Sequence, residues 1–134
     1  MKTILYFLIA FSSLSCINMK EDTYYLRTTG RVEIIQVDIP DTTINLEFAE
    51  IIAKAKATNA CWSNLTFNLT KKSDFEYFLE AFGIFESYGS CPDVMVYSDS
   101  TIPFKPKQTG LYKFYITKTQ NEIETDTMIV IGDN

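Results

Sequence analysis

Residues 64–70 read NLTFNLT, and this stretch decides the fold class. Apolar and polar side chains alternate strictly along it, which is the two-residue period of a strand that buries one face. The same period recurs at residues 110–118, closer to the end of the chain. The two stretches predict strands of a β domain. Their inward side chains are predicted to be Leu65, Phe67, Leu69, Tyr112, Phe114 and Ile116.

Residues 73–85 fit two patterns. Helical spacing joins the apolar side chains at positions 75, 78, 79 and 82, whereas strand alternation joins those at 75, 77, 79 and 81. Aromatic residues favour strands, and residues 71–74 have the composition of a hairpin turn. We therefore predict a strand here. Residues 48–58 fit a helix or a strand, because alternating alanines and lysines are also helix formers.

Several shorter segments also carry strand patterns. Residues 33–39 are expected to form a strand with Ile35, Val37 and Ile39 on one face. The other segments predicted to be extended are residues 24–26, 94–97, 102–104 and 123–131. Short strands separated by turn signals predict an all-β fold, an antiparallel β-sandwich of about seven strands.

Composition excludes several functions. The 134 residues include 12 Lys and Arg against 17 Asp and Glu, a net charge of −5, so we expect no nucleic-acid binding. The chain has no histidine, which removes the commonest general base near neutral pH and the commonest zinc ligand. It has no phosphate-binding glycine loop, calcium loop or serine nucleophile motif. We therefore expect no enzyme activity, no catalytic residue, no metal site and no cofactor.

The first sixteen residues, MKTILYFLIAFSSLSC, have the layout of an export signal. A basic residue precedes an apolar run of about eight residues, too short to cross a bilayer. Small residues and Cys16 follow, and this arrangement resembles a bacterial lipoprotein signal, in which the cysteine becomes the lipidated N-terminus. The alternative is an ordinary secretory signal cut near Ser15.

The lipoprotein resemblance predicts three parts of the chain. Residues 1–15 are a signal peptide, residues 16–31 are a lipidated N-terminus and flexible tether, and residues 32–134 are the β-sandwich domain. Acyl chains on Cys16 are expected to hold the protein in the membrane. Ile17 stands where an inner-membrane retention signal has aspartate, which favours the outer membrane, on its periplasmic or its cell-surface face.

The two remaining cysteines, Cys61 and Cys91, form an even pair. In an oxidising compartment such a pair is expected to form a disulfide, which here closes a loop of about thirty residues. The alternatives are a metal site and a catalytic thiol. Both are disfavoured, because zinc sites and catalytic cysteines usually use histidine.

Four segments of the mature chain resemble small Bacteroidetes-type lipoproteins with an immunoglobulin-like β-sandwich. They are residues 58–65 (TNACWSNL), 85–93 (FESYGSCPD), 104–106 (FKP) and 110–114 (GLYKF). The resemblance implies an antiparallel immunoglobulin-like β-sandwich and a location in the cell envelope. It implies no activity, because the family has none assigned. Trp62 directly follows Cys61, unlike the separate core tryptophan of antibody domains.

Two further groups of residues are candidate sites. An aspartate directly precedes Thr42, Ser100 and Thr127, as in the O-glycosylation sites of Bacteroidetes, although Asp-Thr pairs are also common in turns. Trp62, Tyr88 and Tyr97 lie near the predicted disulfide in the sequence and are candidate contacts for a sugar or peptide ligand. The alternative role for these aromatic residues is packing in the core or anchoring of loops.

These observations lead to two hypotheses of function. The first is a membrane-anchored, non-enzymatic binding or accessory module of the cell envelope, whose partner is an envelope protein or a glycan. The second is a secreted-protease inhibitor of β-sandwich type, with residues 59–64 or 86–93 as the inserting loop. Paired carboxylates, such as Glu47 with Glu50, could be imagined as an acid/base pair but are interpreted as a solvated face.

Overall fold

The computed structural model describes residues 24–132. Within these residues the fold is all-β, with eight strands and no helix. Consequently this part of the chain offers no helix of the length and hydropathy that a membrane crossing requires. The strands are β1 (Leu26–Asp38), β2 (Thr42–Ile44), β3 (Ala49–Ala57), β4 (Trp62–Ser73), β5 (Glu76–Ser87), β6 (Val96–Phe104), β7 (Gly110–Thr119) and β8 (Glu122–Ile131).

The eight strands form one mixed sheet. Its hydrogen-bonded path is β2-β8-β7-β5-β1-β3-β6, and β4 pairs with β5 beside this path. Most neighbours are antiparallel, but β5 pairs with β7 and β2 pairs with β8 in parallel. The antiparallel arrangement expected from the sequence therefore describes only part of the sheet, and the strands number eight instead of about seven.

The long strand β1 curls the sheet into a half-barrel. Its residues 26–32 pair with β5, and its residues 33–38 pair with β3. The curl brings the unpaired edges of β4 and β6 together, where the Ser98 hydroxyl donates to the Leu65 carbonyl at 3.3 Å. The core fills the space inside this curl. Its fully buried side chains include Ile34, Ile51, Leu79, Tyr112, Phe114, Ile116 and Met128.

Alternation predicted the inward faces of three strands correctly. Leu65, Phe67 and Leu69 of β4 pack against the core. Tyr112, Phe114 and Ile116 of β7 are at most 1% exposed. Residues 73–85 comprise the last residue of β4, a turn at residues 74–75 and most of β5, so the strand was the correct choice although the turn lies later than residues 71–74. The inward residues of β5 include Tyr77, Leu79 and Ala81. The ambiguous residues 48–58 contain β3, whose alanines alternate inward.

The predicted inward face of residues 33–39 was wrong at one position. Ile34 is fully buried, whereas Ile35 is only partly buried. The cause is a bulge in the β1–β3 ladder, where the register shifts between Ile34 and Gln36. An extra residue in one strand reverses the alternation beyond it, so Val37 and Ile39 still face inward.

Other strand boundaries also differ from the expectations. Residues 94–97 and 102–104, predicted as two short strands, correspond to one strand, β6, which begins at Val96 and leaves residues 94 and 95 in the preceding loop. Strand β2, only three residues long, was not predicted. Residues 26–31, assigned to the tether, are paired with β5 as the first half of β1. The predicted signal peptide, residues 1–15, and residues 16–23 of the predicted tether lie outside the described residues.

The Tyr112 side chain is hydrogen-bonded to the turn that precedes β7. Its side chain is 1% exposed, and its hydroxyl donates to the Gln108 carbonyl at 3.1 Å and accepts from the Gln108 amide at 3.3 Å. A buried tyrosine near the start of a strand, bonded to backbone a few residues upstream, is the arrangement called a tyrosine corner. It orders the turn before β7 by satisfying both polar groups of one peptide residue.

Candidate functional site

Cys61 and Cys91 form a disulfide, as predicted, with a Cα–Cα distance of 5.4 Å across a separation of 30 residues. Backbone hydrogen bonds support it, because the Ala60 amide donates to the Pro92 carbonyl at 3.0 Å and the Glu86 amide donates to the Cys61 carbonyl at 2.8 Å. The cross-linked loops, residues 58–61 and 88–95, lie beside the start of β1. We call this region of the molecule the disulfide end.

Trp62 lies on a shelf formed by two glycines. Gly30 and Gly83 face each other across the β1–β5 ladder. A Cβ atom on Gly30 would lie 2.9 Å from the indole, and one on Gly83 would lie 3.1 Å from it. The indole also meets the Phe85 ring edge-to-face, with a centroid distance of 5.3 Å. Because any larger residue would displace the ring, the two glycines position Trp62.

A groove runs beside the tryptophan where β1 leaves β5 and joins β3. It is open on one side and has a volume of about 100 Å³. The residues that line it are Arg31, Val32, Glu33, Lys56, Ala57, Thr58 and Trp62. We call it the Trp62 groove. Its walls combine one partly buried aromatic ring with charged and hydroxyl groups, which suits a ligand that has both apolar and hydrogen-bonding surfaces.

An ion pair spans one wall of the Trp62 groove. Lys56 Nζ lies 2.8 Å from Glu33 Oε2, across the β1–β3 ladder. The hydrogen bond and the negative charge of Glu33 raise the pKa of Lys56 above its ordinary value. The ammonium group therefore stays protonated throughout the neutral range. Both groups keep partly exposed side chains and so remain accessible to a ligand.

The structure separates the three aromatic candidates. Trp62 lines the groove, whereas Tyr88 lies exposed on the cross-linked loop, with its ring 4.9 Å from that of Tyr25. Tyr97 is exposed on the outer face of β6, under the ammonium group of Lys54 at 5.7 Å. All three belong to the disulfide end or its flank, but only Trp62 contributes to a concave site.

The three candidate glycosylation positions are on strand surfaces. Thr42, Ser100 and Thr127 are all exposed. Thr42 and Thr127 lie close together on the outer face, because Thr42 pairs with Ile129 in the parallel β2–β8 ladder. Ser100 instead pairs with the inward residue Ala53, and it is exposed because β6 is a free edge of the half-barrel.

Two other grooves are present. One, of about 290 Å³, lies on the outer face between β1 and β7, and the 2.7 Å ion pair of Arg31 with Glu80 forms part of it. A smaller one, of about 70 Å³, lies beside the tyrosine corner and includes the paired Lys71 and Asp74. The first is larger than the Trp62 groove, but the ammonium group of Lys72 covers its aromatic ring, Phe78, at 5.5 Å from the ring centroid.

Of the seven residues that line the Trp62 groove, the sequence indicated only Trp62. Glu33, Lys56 and Thr58 belong to segments whose faces were misassigned or ambiguous, and only the β1–β3 pairing brings them beside Trp62. Cys16 lies outside the described residues. Among residues 24–132, no three His, Cys, Asp or Glu side chains converge as a metal site would require. No family model, curated protein or solved structure matches this chain.

Proposed function

We propose that the protein is a non-enzymatic binding module of the cell envelope, anchored through a lipid on Cys16. The observation that carries the binding role is the Trp62 groove, in which a positioned indole lies beside the Glu33–Lys56 ion pair. Such a site favours a glycan or a peptide chain, because either presents apolar edges together with hydrogen-bonding groups. The outer membrane is the proposed location, on its periplasmic or its cell-surface face.

The binding role is tested with the purified protein and its single tryptophan. Fluorescence of Trp62 is followed while glycans and peptides prepared from envelopes are added, and a pulldown from detergent-solubilised envelopes searches for protein partners. A ligand in the groove is expected to change the emission and to bind about tenfold more weakly to the Lys56→Gln variant. Lys54→Gln, two residues along the same face of β3, is the matched control. Equal loss in both variants, or no ligand at all, contradicts the proposal.

The immunoglobulin-like sandwich remains part of the proposal. The tyrosine corner at Tyr112 supports it, because that arrangement is a hallmark of such sandwiches. The parallel β5–β7 pair is a departure from an all-antiparallel sandwich. Cross-strand contacts of β5 measured by NMR in solution test this assignment, and contacts with antiparallel neighbours alone would strengthen the resemblance to an immunoglobulin-like sandwich.

A protease inhibitor is the second candidate. The disulfide favours it, since it cross-links residues 59–64 to residues 86–93 and a rigid exposed loop loses less entropy on binding. Tyr88 is the exposed side chain that such a loop would offer to a specificity pocket. Assays against a panel of secreted proteases, with Tyr88→Ala as the test variant, decide the matter. Absence of inhibition across the panel removes this candidate.

A further inference from the structure

Five large apolar side chains are exposed at the disulfide end. They are 46% to 69% exposed, and three of them are tyrosines. The Tyr25 and Tyr88 rings stack at a tilt, with a centroid distance of 4.9 Å. We call these side chains the apolar cap: Tyr24, Tyr25, Tyr88, Val94 and Met95.

The chain enters the domain through the apolar cap. β1 begins at Leu26, which pairs with Ser87 beside the cross-linked loops. Cys16 precedes Tyr24 by only eight residues. Even a fully extended chain of that length reaches at most about 29 Å. A lipid on Cys16 therefore keeps the apolar cap within that distance of the bilayer surface.

The opposite end of the molecule lies out of this reach when the strands stand upright. That end carries another exposed apolar pair, Leu46 and Phe48, next to residues 105–107. The twelve-residue strand β4 runs from the disulfide end to this end and spans about 40 Å. The position of chain entry thus places the apolar cap, and not the pair of Leu46 and Phe48, next to the membrane.

The side chains of the apolar cap suit the boundary between lipid and water. Tyrosine is enriched there, because its ring is apolar and its hydroxyl stays hydrated. The charges nearby have both signs, with Arg27 and Glu86 on neighbouring strands, and the Tyr25 hydroxyl donates to Glu86 at 2.8 Å. Attraction to the bilayer would therefore depend on apolar contact more than on anionic lipid.

We propose that the apolar cap docks on the lipid bilayer in which the anchor is inserted. The inference rests on the proposed lipid at Cys16, because a short tether gives the cap a high effective concentration at the membrane surface. Docking sets the orientation of the domain. It places the Trp62 groove close to the membrane, so that the ligands within its reach are membrane-proximal chains.

Energy transfer from Trp62 to a dansyl-labelled lipid tests the docking. The chain has one tryptophan, which lies at the disulfide end, so the donor is unambiguous. The lipoprotein is isolated with its native lipid and reconstituted into phosphatidylcholine vesicles. Docking predicts strong transfer that changes little with salt and falls at least twofold in the Tyr88→Ser/Met95→Ser variant. The Leu46→Ser/Phe48→Ser variant, altered at the opposite end, is expected to match the unaltered protein.

A lengthened tether gives a second measurement that is independent of these substitutions. Eight Gly and Ser residues inserted after Ile17 leave the transfer high when the cap is docked, and lower it when the domain is only tethered. Low transfer in the lengthened protein, or equal transfer in the cap variant and the unaltered protein, overturns the docking. A fall in the Leu46→Ser/Phe48→Ser variant alone shows the reverse orientation and also overturns it.

Mass spectrometry separates this inference from the proposed function. If Cys16 carries no lipid, the anchoring proposal fails. The docking is then tested by coupling a maleimide lipid to Cys16, since the other two cysteines are joined in the disulfide. The same two variants and the same lengthened tether decide the outcome in that protein.

Discussion

At the scale of single residues, Gly83 is important for packing because it has no side chain. It lies on the inward row of β5, between Ala81 and Phe85, and the Trp62 indole and Leu65 occupy the space above it. The sequence predicts neither contact, because both depend on the register with which β4 pairs with β5. Glycine is normally disfavoured inside a strand. The close approach of the Trp62 indole explains why β5 has a glycine at position 83.

Gly83→Ala is expected to destabilise the domain by about 1–3 kcal/mol, the usual cost of overpacking a core. The added methyl group would lie 2.6 Å from Leu65 Cδ2 and 3.4 Å from the Ser63 carbonyl oxygen. Urea unfolding followed by tryptophan fluorescence measures the change. Gly132→Ala is the control, because its nearest neighbour is 3.9 Å away. A midpoint for Gly83→Ala equal to that of the control would show that the shelf under Trp62 is not tight.

Glu76 joins three strands through its carboxylate. The Tyr115 hydroxyl donates to it at 2.6 Å and the Ser73 hydroxyl at 3.1 Å. Together these hydrogen bonds hold the pKa of Glu76 below its ordinary value of 4.5, against the opposing effect of partial burial. A depressed carboxyl pKa stabilises the fold above the unfolded pKa, and the contribution is lost as the pH falls through the folded pKa.

Glu76→Gln is therefore expected to lower the melting temperature at pH 7, and the difference from the unaltered protein should vanish between about pH 5 and pH 2. Thermal unfolding at several pH values measures it. Tyr115→Phe removes the main donor and should weaken the same pH dependence, whereas adding it to Glu76→Gln should introduce none. A melting difference that stays constant from pH 7 to pH 2 would rule out the carboxylate as its source.

At the scale of elements, the disulfide and β1 determine how the strands are connected. The disulfide ties the β3–β4 loop to the β5–β6 loop, while β1 supplies one partner strand to each part of the curled sheet. The disulfide followed from counting cysteines, because Cys61 and Cys91 are the even pair that is left once Cys16 is set aside. The double pairing of β1 did not, because residues 26–31 are mostly polar and show no strand alternation, so the sequence placed them in the tether.

Replacing both cysteines by alanine is expected to cost about 3–4 kcal/mol of unfolding free energy, since the cross-link closes a loop of about thirty residues. Urea unfolding of the Cys61→Ala/Cys91→Ala protein measures the loss. Reducing agent should destabilise the unaltered protein by a similar amount and leave the double variant unchanged. A loss below about 1 kcal/mol would mean that the loops are already held by their backbone hydrogen bonds.

At the scale of the whole molecule, the curl determines which surface is core. The inside of the half-barrel holds Leu79 at 0% exposure, and the outside of the adjacent strand carries Leu111 at 56%. Leu79 shares a face of β5 with the inward residue Ala81, whereas Leu111 lies on the face of β7 opposite the inward residue Tyr112. Alternation therefore places the two leucines on opposite sides of the sheet, and the curl encloses the side that holds Leu79. The two ends of the molecule also differ in their connection to the rest of the chain, because the first strand, β1, begins at the disulfide end.

Substitution of these two leucines tests which face of the sheet the curl encloses. Leu79→Ala is expected to lose about 2–5 kcal/mol, as in other buried leucine positions, whereas Leu111→Ala should stay within about 0.5 kcal/mol of the unaltered protein. Chemical unfolding of both variants under one set of conditions provides the comparison. Similar losses in the two variants would show that the outer face of β7 is also buried, for example in an oligomer.

The sequence alone determined the fold class, the inward faces of β4, β5 and β7, and the partners in the disulfide. These features are local or follow from counting: alternation depends on successive residues, and the two cysteines other than Cys16 form an even pair. The bulge at Ile35, the parallel β5–β7 pair and the groove beside Trp62 were decided only by tertiary structure. Each depends on which distant strand lies alongside, and the free energy of that pairing comes from contacts between residues far apart in the chain.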